Sequence, residues 1–291
     1  MPELPEVQTT VNDLSRKIIG RRIIGVWSDW SKALKGFSFD GFKKTVKNKK
    51  ILSIKRRAKN ILIYLSDDFL MLIHQKMTGH LLVGRWEIDG KKIIPLEPKE
   101  VVPDPYNRFI HLIFYLDSGE MLALSDARKF AKVLLDKKDK IENLPELKNL
   151  GPEPLGKNFT FDKFVKLINS EKRKIKQVLM DPEVIAGIGN IYSDEILWQS
   201  RIHPFKPANK LFKRELKKIY LAMQSILFKA LKLRGTSISD YRDTAGKKGK
   251  YSDVRLVYRR EGQPCPRCDG KIVRVKMGGR SAHYCPVCQK L

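Results

Sequence analysis

The chain has 291 residues, 58 Lys+Arg against 32 Asp+Glu, and a formal charge of +26. With 42% hydrophobic residues it is too apolar for a disordered basic tail; its length fits two domains that each bury a core, or one large one, and its charge points to a polyanionic partner. No apolar run approaches the roughly 18 residues of a membrane span, and no charged segment leads into an apolar one at the N-terminus, so nucleic acid is favoured over membrane and a cytoplasmic protein is expected.

Val7, Val11, Leu14 and Ile18 recur at helical spacing, and Pro5 suits a first helical turn. Short runs rich in Ile, Leu and Val follow at Ile51–Lys55, Ile61–Leu65, Leu70–His74, Phe109–Tyr115, Met121–Ser125 and Lys132–Leu135. Turn signals such as Ser66-Asp67-Asp68 and Asp117-Ser118-Gly119 separate them, which predicts a β-sandwich behind one N-terminal helix. The stretch Ile88–Pro105, with four prolines, reads as a long loop or insertion. Gly151-Pro152-Glu153-Pro154 marks a connection between domains. Helices are then predicted at Phe161–Asn169, Lys172–Met180, Ile191–Gln199 and Leu211–Leu233, the last ended by Gly235. Gly246–Lys250 reads as a mobile loop, and the tail from Val254 as cysteine-bearing hairpins. The class is α+β.

The opening Met1-Pro2-Glu3-Leu4-Pro5-Glu6-Val7 carries the chemistry. Removal of Met1, favoured by a small second residue, would leave the secondary amine of Pro2 beside two carboxylates. Such an amine attacking a sugar carbon gives an electron-withdrawing iminium with no N–H to lose, as glycosidic cleavage and phosphate elimination both require. At pH 7 an average α-amine is roughly 14% neutral against about 0.04% for a lysine. Cys265-x2-Cys268 and Cys285-x2-Cys288 have the spacing of two zinc knuckles, and one structural zinc is expected in preference to two disulfides.

Nine basic residues and no acidic one lie between Lys43 and Lys59, either a solvated strand face or a phosphate-facing one. Gly187-Ile188-Gly189-Asn190, preceded by Lys172, Arg173, Lys174 and Lys176, is either a plain helix–helix turn or a helix N-terminus open to an anion, with Asn190 as its cap. Met77, Arg128 and Phe130 follow apolar runs at strand ends and read most simply as core and surface residues, though they are also of the types that wedge between bases.

Together these residues resemble the formamidopyrimidine-DNA glycosylase family of bacterial enzymes. The resemblance is carried by Pro2–Val7, Arg57-Ala58-Lys59, His74–Gly79, Asp126–Phe130, Leu150–Leu155, Gly187–Tyr192, Ile202-His203-Pro204, Arg280 and Tyr284–Gln289, in order from end to end. It implies an N-terminal β-sandwich with an N-terminal helix over 1–143, a linker over 144–160, a helix–two-turns–helix domain with a lesion-capping loop over 161–253, and a β-hairpin zinc finger over 254–291, with duplex DNA held between the domains. It makes Pro2 the Schiff-base nucleophile, Glu3 the acid for the sugar ring oxygen, Lys59 a phosphate contact and proton donor, and Arg280 a phosphate grip. Met77, Arg128 and Phe130 would fill the gap left by a flipped nucleotide. Lys172, Lys176 and Asn190 would contact phosphate or lesion, and Glu6, His74, Tyr106 and Lys129 join the DNA-facing set.

The implied activity is a monomeric, bifunctional DNA glycosylase and abasic-site lyase acting on oxidised purines. The alternatives are an endonuclease VIII-like preference for oxidised pyrimidines, whose family typically has glycine where Leu4 stands, and a non-catalytic zinc protein that binds damaged DNA. Departures from the pattern are Gln75-Lys76 for Leu-Gly, Ala131 for glycine, no histidine near Tyr106-Asn107, and Arg259-Arg260 lacking a usual glycine.

Overall fold

A computed structural model describes residues 1–90, 92–238 and 240–291. The chain forms two compact units. The first is Met1–Lys148 with Leu233–Lys250, and the second is Asn149–Lys232 with Tyr251–Leu291.

The first unit opens with helix α1 (Leu4–Lys17). Pro5 sits in its first turn, where a missing N–H costs nothing, and its apolar stripe Val7, Val11, Leu14 is wholly buried with Ile18. There follow β1 (Ile23–Ser28), β2 (Leu34–Lys35), α2 (Phe39–Val46), β3 (Ile51–Arg57), β4 (Asn60–Leu65), β5 (Phe69–His74), β6 (His80–Asp89), β7 (Lys92–Glu97), β8 (Ile110–Leu116), β9 (Met121–Ser125) and β10 (Lys132–Lys137). Two five-stranded sheets result, in the orders β1-β8-β9-β6-β7 and β2-β10-β5-β4-β3. Side chains from both sheets, among them Ile54, Ile61, Ile73, Leu81, Leu112 and Leu124, meet the stripe of α1 and Phe42 of α2 in one core. The expected sandwich is present.

The stretch expected as a loop over Ile88–Pro105 instead contributes β7, antiparallel to the end of β6. Pro95 lies opposite Trp86, and β7 is the last strand of its sheet, the place where a residue without an N–H does least harm. The sequence reading also passed over β1, β2, α2 and β6. The segment Leu233–Lys250 falls with the first unit, although its position in sequence had placed it with the helices up to 253. Its side-chain bonds run to α1: Arg234 Nη2 donates to Asp13, and the Tyr241 hydroxyl donates to the Glu6 carbonyl at 3.2 Å. Short helices α3 (Lys138–Glu142) and α4 (Pro145–Lys148) close the first stretch of this unit.

The second unit contains α5 (Phe161–Asn169), α6 (Ile175–Met180), α7 (Asn190–Ser200) and α8 (Lys213–Lys232), then the hairpin β11 (Val273–Met277) and β12 (Arg280–Tyr284). α6 starts three residues later than expected, because Lys172–Lys174 are held out as a connection, with Arg173 bonded to Glu171 and Asp181 at 2.7 and 2.6 Å. Consecutive carboxylates on α7 organise this unit. Asp194 accepts from the Lys176 ammonium and from both the amide and Nδ1 of His283, at 3.0 and 2.8 Å. Glu195 accepts the amides of Leu256, Val257 and Tyr258 at 2.8, 2.9 and 3.0 Å. Burial pushes the Glu195 pKa up, and the three amides hold it back. Among the described residues no helix is long and apolar enough to cross a membrane.

Candidate active site and nucleic-acid interface

Pro2 and Glu3 are buried where α1 begins, and Glu3 is its N-cap residue. Glu6, three residues on, returns its Oε2 to the Glu3 amide at 2.8 Å, the reciprocal arrangement of a capping box. The α-amine of Met1, one residue before Pro2, has its pKa lowered, chiefly by burial and further by the Lys59 charge, against the pull of Glu3, Glu6 and Asp240. Lys59 reaches this neighbourhood from the β3–β4 turn, where Ala58 takes φ 51°.

Glu6 is almost wholly buried and faces protein, which departs from its expected place among the DNA contacts. Its other oxygen, Oε1, accepts the Thr236 amide at 2.6 Å. Tyr106 likewise turns inward. Its hydroxyl donates to Asp240 at 2.7 Å, its ring packs edge-on to His80, and Arg242 lies 4.9 Å from its centroid. Both therefore tie the 233–250 segment to the sandwich.

His74 ends β5. The Lys76 amide donates to its Nδ1 at 2.9 Å, and burial with the charges of Lys76, Lys132 and Lys59 holds its pKa at about 3, so the ring is neutral with its proton on Nε2. Met77 follows, half-buried. The loop carrying Arg128, Lys129 and Phe130 is shaped by Asp126, a residue the sequence reading quoted without a role. Its Oδ1 accepts from the Thr78 hydroxyl and the Arg128 amide, and its Oδ2 accepts the Phe130 and Ala131 amides, both at 2.7 Å. The Thr78 bond joins the Met77 loop to the Phe130 loop, so two of the expected wedge elements share one anchor. Phe130 is 51% exposed with the Arg128 guanidinium 4.6 Å from its centroid, and Lys129 is exposed at φ 56°. A large apolar ring held outward beneath a cation is poised for stacking rather than for a core.

In the second unit Lys172 is exposed, as a phosphate contact requires. Lys176 is not: it is 1% exposed and ion-paired with Asp194, so it supports α7 from inside instead of meeting solvent. Desolvating a lysine demands such a partner, a constraint that a count of basic residues does not register. Asn190 is the first residue of α7, and Gly189 is the cap, so Asn190 does not cap the helix as expected. Among the described residues its Oδ1 has no partner, and with Arg280 it lines a recess of about 910 Å3. Arg280 opens β12 after the Gly278-Gly279 turn, whose φ values of 51° and 74° suit the two-residue hairpin that presents it.

Behind that hairpin all four cysteine Sγ atoms lie within 4.8 Å of one another, with Cys265–Cys288, Cys268–Cys285 and Cys268–Cys288 at 3.9, 3.6 and 3.2 Å. A tetrahedron of thiolates with zinc–sulfur bonds of about 2.3 Å has edges near 3.8 Å, whereas a disulfide needs about 2.05 Å. The donors fit one zinc ion. Trp198 Nε1 donates to Cys265 Sγ at 3.4 Å, a supporting bond from α7 outside the thiolate set.

Comparison with known proteins agrees along the whole chain. Family models match for the formamidopyrimidine-DNA glycosylase N-terminal domain over residues 1–133, the formamidopyrimidine-DNA glycosylase H2TH domain over 150–242, and the zinc finger found in FPG and IleRS over 262–291. Formamidopyrimidine-DNA glycosylases of Pelotomaculum thermopropionicum and Streptococcus thermophilus are 39% and 38% identical over 291 residues, covering 100% of both chains in each case. The solved complex of Lactococcus lactis Fpg with abasic-site DNA superposes with a TM-score of 0.86 at 31% identity, over 99% of this chain and 100% of that one. A mutant of the same enzyme with Fapy-dG DNA gives 0.87 at 32% identity over 100% of both chains.

Proposed function

The chain belongs to the formamidopyrimidine-DNA glycosylase family, and from that membership we propose that it excises oxidised purines from duplex DNA and then cleaves the abasic strand. The observation that carries the reading is the buried start of α1, where Pro2, which becomes a secondary amine once Met1 is removed, stands beside buried Glu3 with the Lys59 charge close by. Nothing in simple DNA binding calls for a secondary amine in that setting.

Once Met1 is removed, the Pro2 nitrogen attacks C1′ and forms an N–C1′ bond as the bond from C1′ to the base breaks. The base leaves with the proton the amine gives up. Glu3 protonates the ring oxygen O4′ as the C1′–O4′ bond opens, which leaves an iminium. The iminium acidifies C2′, and loss of that proton expels the 3′ phosphate. Loss of the C4′ proton then expels the 5′ phosphate, and water hydrolyses the iminium to restore Pro2. Lys59 serves as phosphate contact and proton donor in the elimination, and Arg280 with Lys172 holds the backbone. The zinc ion supplies no step: it fixes the hairpin that presents Arg280. The enzyme acts as a cytoplasmic monomer.

Borohydride reduction tests the scheme. The protein incubated with an 8-oxoguanine duplex should give a covalent adduct, and intact-mass measurement should find Pro2 first. Glu3→Gln should lose base release yet retain adduct formation on a preformed abasic site, where no base remains to be expelled. An absent adduct on both DNAs would leave only a binding protein.

A further inference from the structure

We propose that Arg259 is a second backbone-phosphate grip, added by this chain to the recess that holds Arg280 and Asn190. The inference rests on the glycosylase reading above in taking DNA as the ligand.

Arg259 stands at φ 53°, the left-handed region that a residue with a Cβ enters at a cost. Its arginine neighbours are occupied with their own loop. Arg255 Nε donates to the Tyr258 carbonyl at 2.9 Å, and Arg260 Nε donates to Gln263 Oε1 at 2.8 Å. Among the described residues Arg259 makes no ion pair or hydrogen bond through its guanidinium. It only stands 5.9 Å from the Tyr258 ring centroid, exposed. A long cationic side chain that folding does not use, on a backbone that glycine would occupy more easily, points to a use outside the fold.

The recess supplies that use. Arg259, Arg274, Lys276 and Arg280 line it with one carboxylate, Glu261, which lies 3.7 Å from Arg274. Four cations against one anion repel one another unless a polyanion screens them. A recess of about 910 Å3 also matches the upper size of organic-ligand sites, roughly 1,000 Å3, which suits a length of sugar–phosphate backbone better than one small anion.

The test compares wild type with Arg259→Gly, which removes the cation and gives φ 53° its preferred residue, and with Arg259→Lys, which keeps the charge. Each binds an undamaged duplex, and the same duplex with a stable abasic analogue, from about 50 to 200 mM salt. The glycine variant should show a log–log salt slope shallower by about 0.9 on both duplexes, so that wild type loses roughly 3.5-fold more affinity over that range. Its thermal midpoint should not fall, and the lysine variant should keep the wild-type slope. An unchanged slope in Arg259→Gly overturns the proposal. Borohydride trapping by the same wild-type preparation judges the glycosylase reading separately, because the slope on undamaged DNA needs no catalysis.

Discussion

Glu6 holds Thr236 by its backbone amide, at 2.6 Å, with the same carboxylate that holds the Glu3 amide at 2.8 Å. One buried side chain thus fixes both the first turn of α1 and a segment more than two hundred residues away in sequence. Hydrogen bonds to charged acceptors contribute about 1.5–3 kcal/mol each, so Glu6→Gln should destabilise the protein within that range. Gly235→Ala attacks the same junction from the other side. At φ 79° a Cβ would lie 2.7 Å from Glu6 Oε1, and a loss of about 1–3 kcal/mol is expected. Urea unfolding checks both, and a Gly235→Ala protein as stable as wild type would mean that the junction carries no strain.

His74 sets a pH dependence. Its folded pKa, about 3, is depressed below the ordinary 6.5. Between those values the unfolded chain takes up a proton that the folded chain refuses. The stability is therefore present above about pH 6.5 and lost as pH falls toward 3. His74→Gln should flatten the fall in thermal midpoint across that window. Calorimetry giving the same pH slope for both proteins would contradict the assignment.

The Phe130 loop should separate lesion access from chemistry. Phe130→Ala is expected to slow single-turnover excision of a paired lesion much more than cleavage of an abasic site, which has no base to unstack. Asp126→Ala, which strips the acceptors from the Arg128, Phe130 and Ala131 amides, should reproduce that pattern and also cost about 1–3 kcal/mol of stability. Equal losses on the two DNAs would make Phe130 a fold residue only.

Zinc release should be visible from Trp198. Cys268→Ser should lower bound zinc from one per chain to none, weaken DNA binding, and shift the emission of Trp198, whose indole N–H lies on Cys265. In a Trp198→Phe background the shift should vanish while metal loss persists. Stoichiometric zinc in Cys268→Ser would refute the four-thiolate site.

Elements with one apolar period and clear ends were legible in the sequence: Met121–Ser125 and Phe161–Asn169 match residue for residue. β7 was not, because four prolines between Ile88 and Pro105 argue for a loop, and only an edge position makes Pro95 compatible with pairing. Site chemistry was legible where the residue type and spacing alone restrict the role, as for the cysteine pairs. It was not legible where a distant partner decides. Lys176 looks like any other lysine until Asp194 is placed beside it, and Asp126 acquires its function only when the amides of its own loop close around it. The acidic pair Asp194-Glu195, the only charged residues of α7, was the one available hint of buried carboxylates.

The division of the chain bears on synthesis at the ribosome. Because Leu233–Lys250 belongs to the first unit, that unit receives its last portion only after the whole helical stretch Asn149–Lys232 has emerged. Until then Asp13 lacks Arg234 and Glu6 lacks Thr236, so two buried carboxylates on the first helix wait without their late partners. A nascent or truncated product ending at Lys148 is thus an unfinished unit, and no single cut in the chain releases either unit whole.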